Sequence, residues 1–396
     1  MRRYALNSSI MAAAGLLLAA CSDDPGQSAS LKAPAIQPAQ LQQSAEQEPF
    51  NLHLLHLAND SHIQALASIN ALQDSVNALL LNNTDANLQQ ARTAWREAYS
   101  AFLRSRIYSY LPITEPLEWQ RQQLGYRDLM MQIDSWPVEG GYLDYLPGYP
   151  HTGIVNDLAM PLNREELLRQ HRFTDAGSAS VGFHVIEFLL WGDDGQRPAS
   201  DFNPASSGDN DDPGQKHPER RREYLQLTTT LLQEQVNRLQ IRWDSNTGYY
   251  AKLLRDSLPG AALSAAMIAV ERWSVEQLKH QQNEDLRSPF SETSEIDQQT
   301  QIRVLKQWLL GAEADPGALP QLLTDNESLL QQWQSLLNSD QQPTAAGSDS
   351  EDAADMLPTQ SAIDSTGSDE NNFDEELKQL QSLLHQTAQT LHIELP

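Results

Sequence analysis

The stretch VGFHVIEFLLWG, residues 181–192, constrains this chain more than any other. Read as a helix, it carries apolar side chains on every face: Val181, Phe183, Val185, Ile186, Phe188, Leu189 and Leu190. A helix that is hydrophobic all round has to be enclosed by other elements. It is too short to span a bilayer, so a protein core must close around it. Within this oil sit two ionisable groups, His184 and Glu187, three residues apart. Burying such groups is costly unless they are partnered or used. Gly182, just before the histidine, leaves room for a backbone or ligand to approach closely. Trp191 extends the His184–Glu187 face by one turn.

The elements available to enclose it are helices. Leu54, Leu57, Ile63, Leu66, Ile69, Leu72, Val76 and Leu79 recur at three- and four-residue steps. Residues 86–110 repeat the habit, with Ala91, Trp95, Tyr99, Phe102 and Arg106 along one side. Further helices are expected at 163–171, 178–191, 221–243, 247–256, 262–282, 296–311 and 318–338. Residues 111–160 are rich in Pro, Gly, Trp and Tyr and read as a long irregular excursion. Strand alternation is not evident. The expected fold is all-α, with one helical bundle over 49–205 and a second over 206–338.

The ends have a different composition. Residues 21–48 are rich in Ser, Gln, Ala and Pro and read as a disordered tether. Residues 339–372 hold eight acidic residues and no basic one, and are expected to be disordered. Phe373, Leu377, Leu380, Leu384 and Leu391 form a stripe, so 373–396 is expected to dock as a last helix.

The chain opens MRRYALNSSIMAAAGLLLAAC. Two arginines precede an apolar run too short to span a membrane permanently, so residues 1–20 read as a signal peptide. Leu18-Ala19-Ala20-Cys21 resembles a bacterial lipobox, and Cys21 is the only cysteine in the chain. Lipidation at Cys21 would anchor the chain to a membrane. The expected location is the bacterial cell envelope, facing the periplasm, on the outer membrane. With that cysteine lipidated no disulfide can form, and stability rests on core packing. A formal net charge of −26 excludes nucleic acid, which needs a basic face, and an anionic lipid surface as an electrostatic partner.

His184 and Glu187 share one helix face at i and i+3, the way helical bundles build metal sites. Imidazole with carboxylate suits zinc, iron or manganese, but each needs further ligands. The competing reading is a buried His–Glu hydrogen bond that orders the bundle. No HExxH occurs, and no Gly-x-Ser-x-Gly. His53, His56 and His62 gather no other ligand and read as a solvated face. Trp95, Trp136 and Trp273 read as core.

GFHVIEFLLWG also resembles the GxHxxE motif of the imelysin family. ARTAWREAY (91–99), IDSWPVEGGYLDY (133–145), GIVND (153–157), GQRPASDF (195–202), LSAAMIAVERW (263–273) and SPFSETSEID (288–297) resemble further family segments in order and spacing. The resemblance implies two helical bundles related by duplication, with the GxHxxE residues near their interface. Family members are bacterial envelope proteins, many of them lipoproteins, often linked to iron acquisition; the family also carries a peptidase label. The resemblance implies His184, Glu187, Glu271 and Asp134 as ligands of a divalent metal, iron or zinc. Gly182, Trp191, Arg272 and Arg96 would support them, the arginines as buried partners of the carboxylates. Where many members have Thr-Glu, this chain has Phe102-Leu103. Gly-Glu becomes Ala266-Met267, and His-Ser-Cys-Phe becomes Arg287-Ser288-Pro289-Phe290. Asn-Thr-His becomes Thr293-Ser294-Glu295. Each change removes a carboxylate or imidazole. The expected function is a binding or accessory lipoprotein in iron or metal-ligand acquisition, whose partner is a metal, an iron ligand or an uptake system. The alternatives are a metallopeptidase using His184 and Glu187 with a metal-activated water, and a structural scaffold with a degenerate site.

Overall fold

A computed structural model describes residues 38–113, 115, 124–204, 217–257, 260–282, 287–312, 315–316, 318–338 and 370–396. The expected signal peptide, Cys21 and nearly all of the acidic stretch 339–372 lie outside the described residues.

The chain begins with a long helix, α1 (Pro38–Leu81), paired with α2 (Asp85–Arg106). Thr84 caps α2 by accepting from the Asn87 backbone N–H. Ala91, Ala94 and Ala98 keep one face of α2 narrow, and Trp95, Tyr99 and Phe102 fill the core beside them. A 3-10 turn, Ile107–Tyr110, follows. The irregular excursion carries only short helices, α3 (Tyr126–Ile133), α4 (Gly140–Leu143) and α5 (Arg164–Gln170). Then come α6 (Phe183–Trp191) and α7 (Pro218–Trp243). Beyond them lie α8 (Tyr249–Arg255), α9 (Ala261–Gln282), α10 (Ser294–Leu309), α11 (Ala318–Leu322), α12 (Glu327–Asn338) and α13 (Glu370–Thr390). The strands among the described residues are one antiparallel pair of two residues each, Gly311–Ala312 and Asp315–Pro316. The fold is all-α. No described helix is long and apolar enough to cross a membrane.

Two hydrophobic cores result. The first gathers Ala65 to Leu79 of α1, the buried face of α2, the apolar residues of α6 and Tyr224 to Leu239 of α7. The second gathers Phe50, Leu54 and Ala58 of α1 with Trp243, Trp273, Trp308 and Trp333. At about 1.5 Å per residue, α1 is long enough to run through both. The terminal helix docks in the second core through Leu377, Leu380 and Leu384. There Trp333 Nε1 also donates to Thr387 Oγ1 at 2.7 Å. Every residue of α6 is buried, as its all-round apolarity requires.

Several expectations are corrected. The stretch 38–48, assigned to the tether, is helical, since its Gln, Ala and Glu residues are good helix formers and Pro38 stands at the first turn. The division at 205/206 does not separate the cores. Helix α7 packs mainly in the first, and Phe50, Leu54 and Ala58 of α1 pack in the second. Helix α6 starts at Phe183 rather than 178, because Gly182 breaks the helical path at φ 110°. The expected helix 318–338 is broken before Asn326, whose side chain accepts from the Leu329 N–H. His53 and His62 are buried rather than solvated. His62 stacks on Trp243, hydrogen-bonds the Ala58 carbonyl, and burial lowers its pKa to about 4.

Candidate functional site

The site is assembled by a close approach of two backbones. A Cβ on Gly182 would meet the Ile133 carbonyl oxygen at 2.7 Å and that of Gln132 at 3.0 Å. Its φ of 110° with ψ of −179° is open to glycine and strained for other residues. The missing side chain lets the end of α3 lie against the start of α6. Asp134, the residue after α3, is thereby set beside His184. Trp95 of α2 ties the same corner by donating to the Phe183 carbonyl at 2.9 Å.

His184 is held at both ring nitrogens. Nδ1 lies 2.8 Å from Glu187 Oε2. Nε2 lies 3.3 Å from Asp134 Oδ1 and 3.2 Å from the Tyr99 hydroxyl, which donates to the same Asp134 oxygen at 3.1 Å. Both acids have further partners. Glu187 Oε1 accepts from the Ser291 N–H at 2.8 Å and its hydroxyl at 2.7 Å. Asp134 Oδ2 accepts from Arg106 Nε and, at 2.9 Å, from Arg287 Nη1. Both guanidiniums also reach Glu276 Oε1. Beyond Ser291 a hydroxyl chain continues: Thr293 Oγ1 is 3.0 Å from Ser291 Oγ and 3.3 Å from Asp297 Oδ2.

Three carboxyl groups (Asp134, Glu187 and Glu276) thus face two guanidiniums and one imidazole. Burial opposes a charge on His184, but the hydrogen bonds it donates to the Asp134 and Glu187 carboxylates outweigh it and raise its pKa. Burial likewise opposes a charge on Asp134, and Arg287 and Arg106 overcome it, holding the carboxyl well below its usual range. Asp297 goes the other way. Buried, and near the Glu187 charge, it is pushed up to about 8.

The donor set as it stands fits a proton better than a bare divalent ion. A metal-ligating imidazole needs a free lone pair, and both nitrogens of His184 face hydrogen-bonding partners. Asp134 is already neutralised by two guanidiniums. Among the described residues, no group of three or more His, Cys, Asp or Glu side chains is arranged to hold a metal.

Of the expected site residues, His184, Glu187 and Asp134 come together. Glu271 does not join them. It faces α13, where His385 Nε2 is 3.5 Å from its Oε2. The acid that α9 sends to the site is Glu276. Arg272 is exposed and donates to the Tyr110 carbonyl at 3.2 Å. Arg96 donates to the Ser291 carbonyl at 3.2 Å and lies over Trp191, 5.2 Å from the ring centre. Trp136 is half-buried and meets His184 edge to face at 4.9 Å. Tyr99, Arg106, Glu276, Arg287 and Asp297 complete the network and were not singled out by the sequence. Tyr99 and Arg106 left a signal, as polar groups along an apolar stripe that would need partners.

Asp134 also lies on the wall of a cleft of about 660 Å³, with Trp136, Glu276 and Arg287 beside it. The cleft lies between the two cores: Trp136 packs against the first, and Glu276 comes from α9, which packs in the second.

Fold and site together define an all-helical protein with a buried His-x-x-Glu pair on a helix of the first core. The sequence model of the Imelysin family matches residues 58–391, and the chain belongs to that family. Two crystal structures share the fold. One is of an imelysin-like protein from Psychrobacter arcticus 273-4, 16% identical, with TM-score 0.54 over 92% of this chain and 99% of that one. The other is of a protein from Parabacteroides distasonis ATCC 8503 named as an iron-regulated protein A precursor. It is 15% identical, with TM-score 0.51 over 92% of this chain and 98% of that one. No curated protein matches.

Proposed function

We propose that this chain is an envelope lipoprotein, anchored through Cys21 and facing the periplasm from the outer membrane. It acts there as a binding or accessory protein in the acquisition of iron, taken as a metal–ligand complex. The observation that carries this reading is the position of Asp134. One of its oxygens meets His184, and the residue also forms part of the cleft wall. The His184–Glu187 pair is therefore linked through Asp134 to a space of the size that small ligands occupy. Family membership and the name of the Parabacteroides structure support the link to iron. A peptidase would need a metal-bound water with an open coordination position, and the bonded state of His184 favours binding instead.

Growth under iron limitation tests the reading. A deletion strain of the native bacterium is expected to grow poorly when iron is chelated and normally when it is replete. The wild-type gene should restore growth and a Cys21→Ser form should restore it less. Equal growth of deletion and parent strains under iron limitation would overturn it.

A further inference from the structure

The charge lining the cleft runs against the charge of the chain. Acidic residues outnumber Lys and Arg by 53 to 27, yet the cleft is lined by Arg106, Arg127, Arg172, Arg272 and Arg287 against Glu115, Asp134 and Glu276. The three acids are already engaged. Asp134 and Glu276 are held by Arg106 and Arg287. Glu115 accepts from the Tyr250 hydroxyl and the Tyr126 N–H, with Arg242 at 3.9 Å.

The other three arginines have no carboxylate partner among the described residues. Arg172 donates to the Ser135 hydroxyl at 3.1 Å and Arg272 to the Tyr110 carbonyl, both neutral acceptors. Arg127 is exposed. Deeper in, the buried Nε of Arg287 has no acceptor among the described residues. A buried donor without an acceptor is costly, and a ligand oxygen would relieve it.

We infer that the cleft binds a multiply charged organic anion, a polycarboxylate or the negatively charged metal chelate of one, through Arg127, Arg172 and Arg272. The inference rests on the reading above and names the ligand class of that same site. All five cations are arginines, whose planar fork matches a carboxylate through two parallel hydrogen bonds. Tyr110, Tyr126 and Trp136 give the organic body of the ligand a flat surface. A volume of about 660 Å³ suits a small molecule. A bare metal cation would be repelled by the three unneutralised guanidiniums, so a metal enters this cleft inside an anionic chelate.

Calorimetric titration of the full chain with citrate, with the ferric citrate complex and with a ferrous salt alone tests the inference. At least one of the two anions is expected to bind, more weakly as salt rises. The Arg127→Gln, Arg272→Gln double variant alters two exposed side chains. It should weaken binding at least about tenfold, roughly the loss of one good ion pair. The free-citrate and chelate arms separate a site for the acid from one for the loaded metal. Failure of both anions to bind, or equal affinity in the double variant, would overturn the inference. If the anions fail while iron-limited growth still depends on the gene, the functional reading survives and the anion cleft does not. If they bind but growth does not depend on the gene, the cleft survives alone.

Discussion

Two of the buried arginine–aspartate networks among the described residues differ in their surroundings, and the one on Asp134 lines an open cleft. The sealed one centres on Asp144. Arg221 holds both of its oxygens, Arg197 Nη1 lies 3.0 Å from Oδ2, and the Tyr145 N–H donates to Oδ1 at 2.8 Å. Arg197 and Arg221 both lie over the Tyr145 ring, and Asp201 takes a second contact from Arg197. Asp144 and Arg221 are both 0% exposed. The other network centres on Asp134. It too holds two guanidiniums, Arg106 and Arg287, but adds an imidazole and lines a cleft. One stretch of chain, 133–145, supplies both aspartates. A closed network fixes the fold. A network of similar parts with one side open and a group of shifted pKa is the arrangement expected where a ligand acts.

The comparison breaks first on stability. Asp144→Asn leaves the fully buried Arg221 beside a neutral side chain and Arg197 with Asp201 alone. Removing one partner of such a group costs about 3–5 kcal/mol, which urea denaturation should show. Asp134→Asn should cost less, about 1–3 kcal/mol, because the cleft lets water reach Arg287 and Glu276. It should also lower the pKa of His184, read by NMR titration of the imidazole. If Asp134→Asn costs as much as Asp144→Asn, the distinction between sealed and open networks fails.

Gly182→Ala sharpens the same comparison from the backbone. It forces a side chain into a left-handed conformation 2.7 Å from the Ile133 carbonyl. Strain on the order of 1–3 kcal/mol is expected. Relief by separating α6 from α3 would also move Asp134 away from His184. Stability and the His184 pKa should therefore fall together, while the Asp144 network is untouched. A stability loss with an unchanged His184 pKa would mean that Gly182 does not position the site.

The sequence contains much of this, but unevenly. The three-and-four spacing of apolar residues located nearly every helix, since each is amphipathic or wholly buried. The His184–Glu187 pair was visible because both residues sit within one turn of an otherwise apolar helix. Gly182 could be read as a point of close approach, though not what approached. The partners were hidden because tertiary contacts deliver them from separate elements. Arg106 ends α2, Glu276 is in α9 and Arg287 lies in a loop. Glu271 and Glu276 show the limit of motif reasoning. Five residues along a helix is a rotation of about 140°. The acid inside the recognised segment faces α13, and the one just beyond it faces the site. His56 of α1 is exposed as expected, but His53 and His62 were misread for a similar reason. Their burial depends on Trp243 and Gln307, far away in sequence.

The finest distinction concerns protons. Asp297 is joined to Glu187 through Thr293 and Ser291. A neutral Asp297 can donate to Thr293, which frees the threonine proton for Ser291 and the serine proton for Glu187. Every hydroxyl then points toward the carboxylate that holds His184. Burial and the Glu187 charge push the Asp297 pKa up to about 8, from 3.8 in an unstructured chain. A pKa raised on folding stabilises fully below the unfolded value, and that contribution is lost as pH rises through the folded one. His184, also raised, loses its contribution in the same direction, from about pH 6.5 upward. Asp134, held low, acts oppositely and loses its contribution only as acid drops the pH below about 4. Asp297→Asn keeps a neutral donor to Thr293 and removes one titration. The variant should gain on wild type as pH rises from about 6 to about 8, by about 2 kcal/mol. The difference should be constant above that range. Urea denaturation of both proteins across this range measures it. Parallel stability curves would mean that Asp297 is ionised in the folded chain, and that the hydroxyl chain does not run toward Glu187.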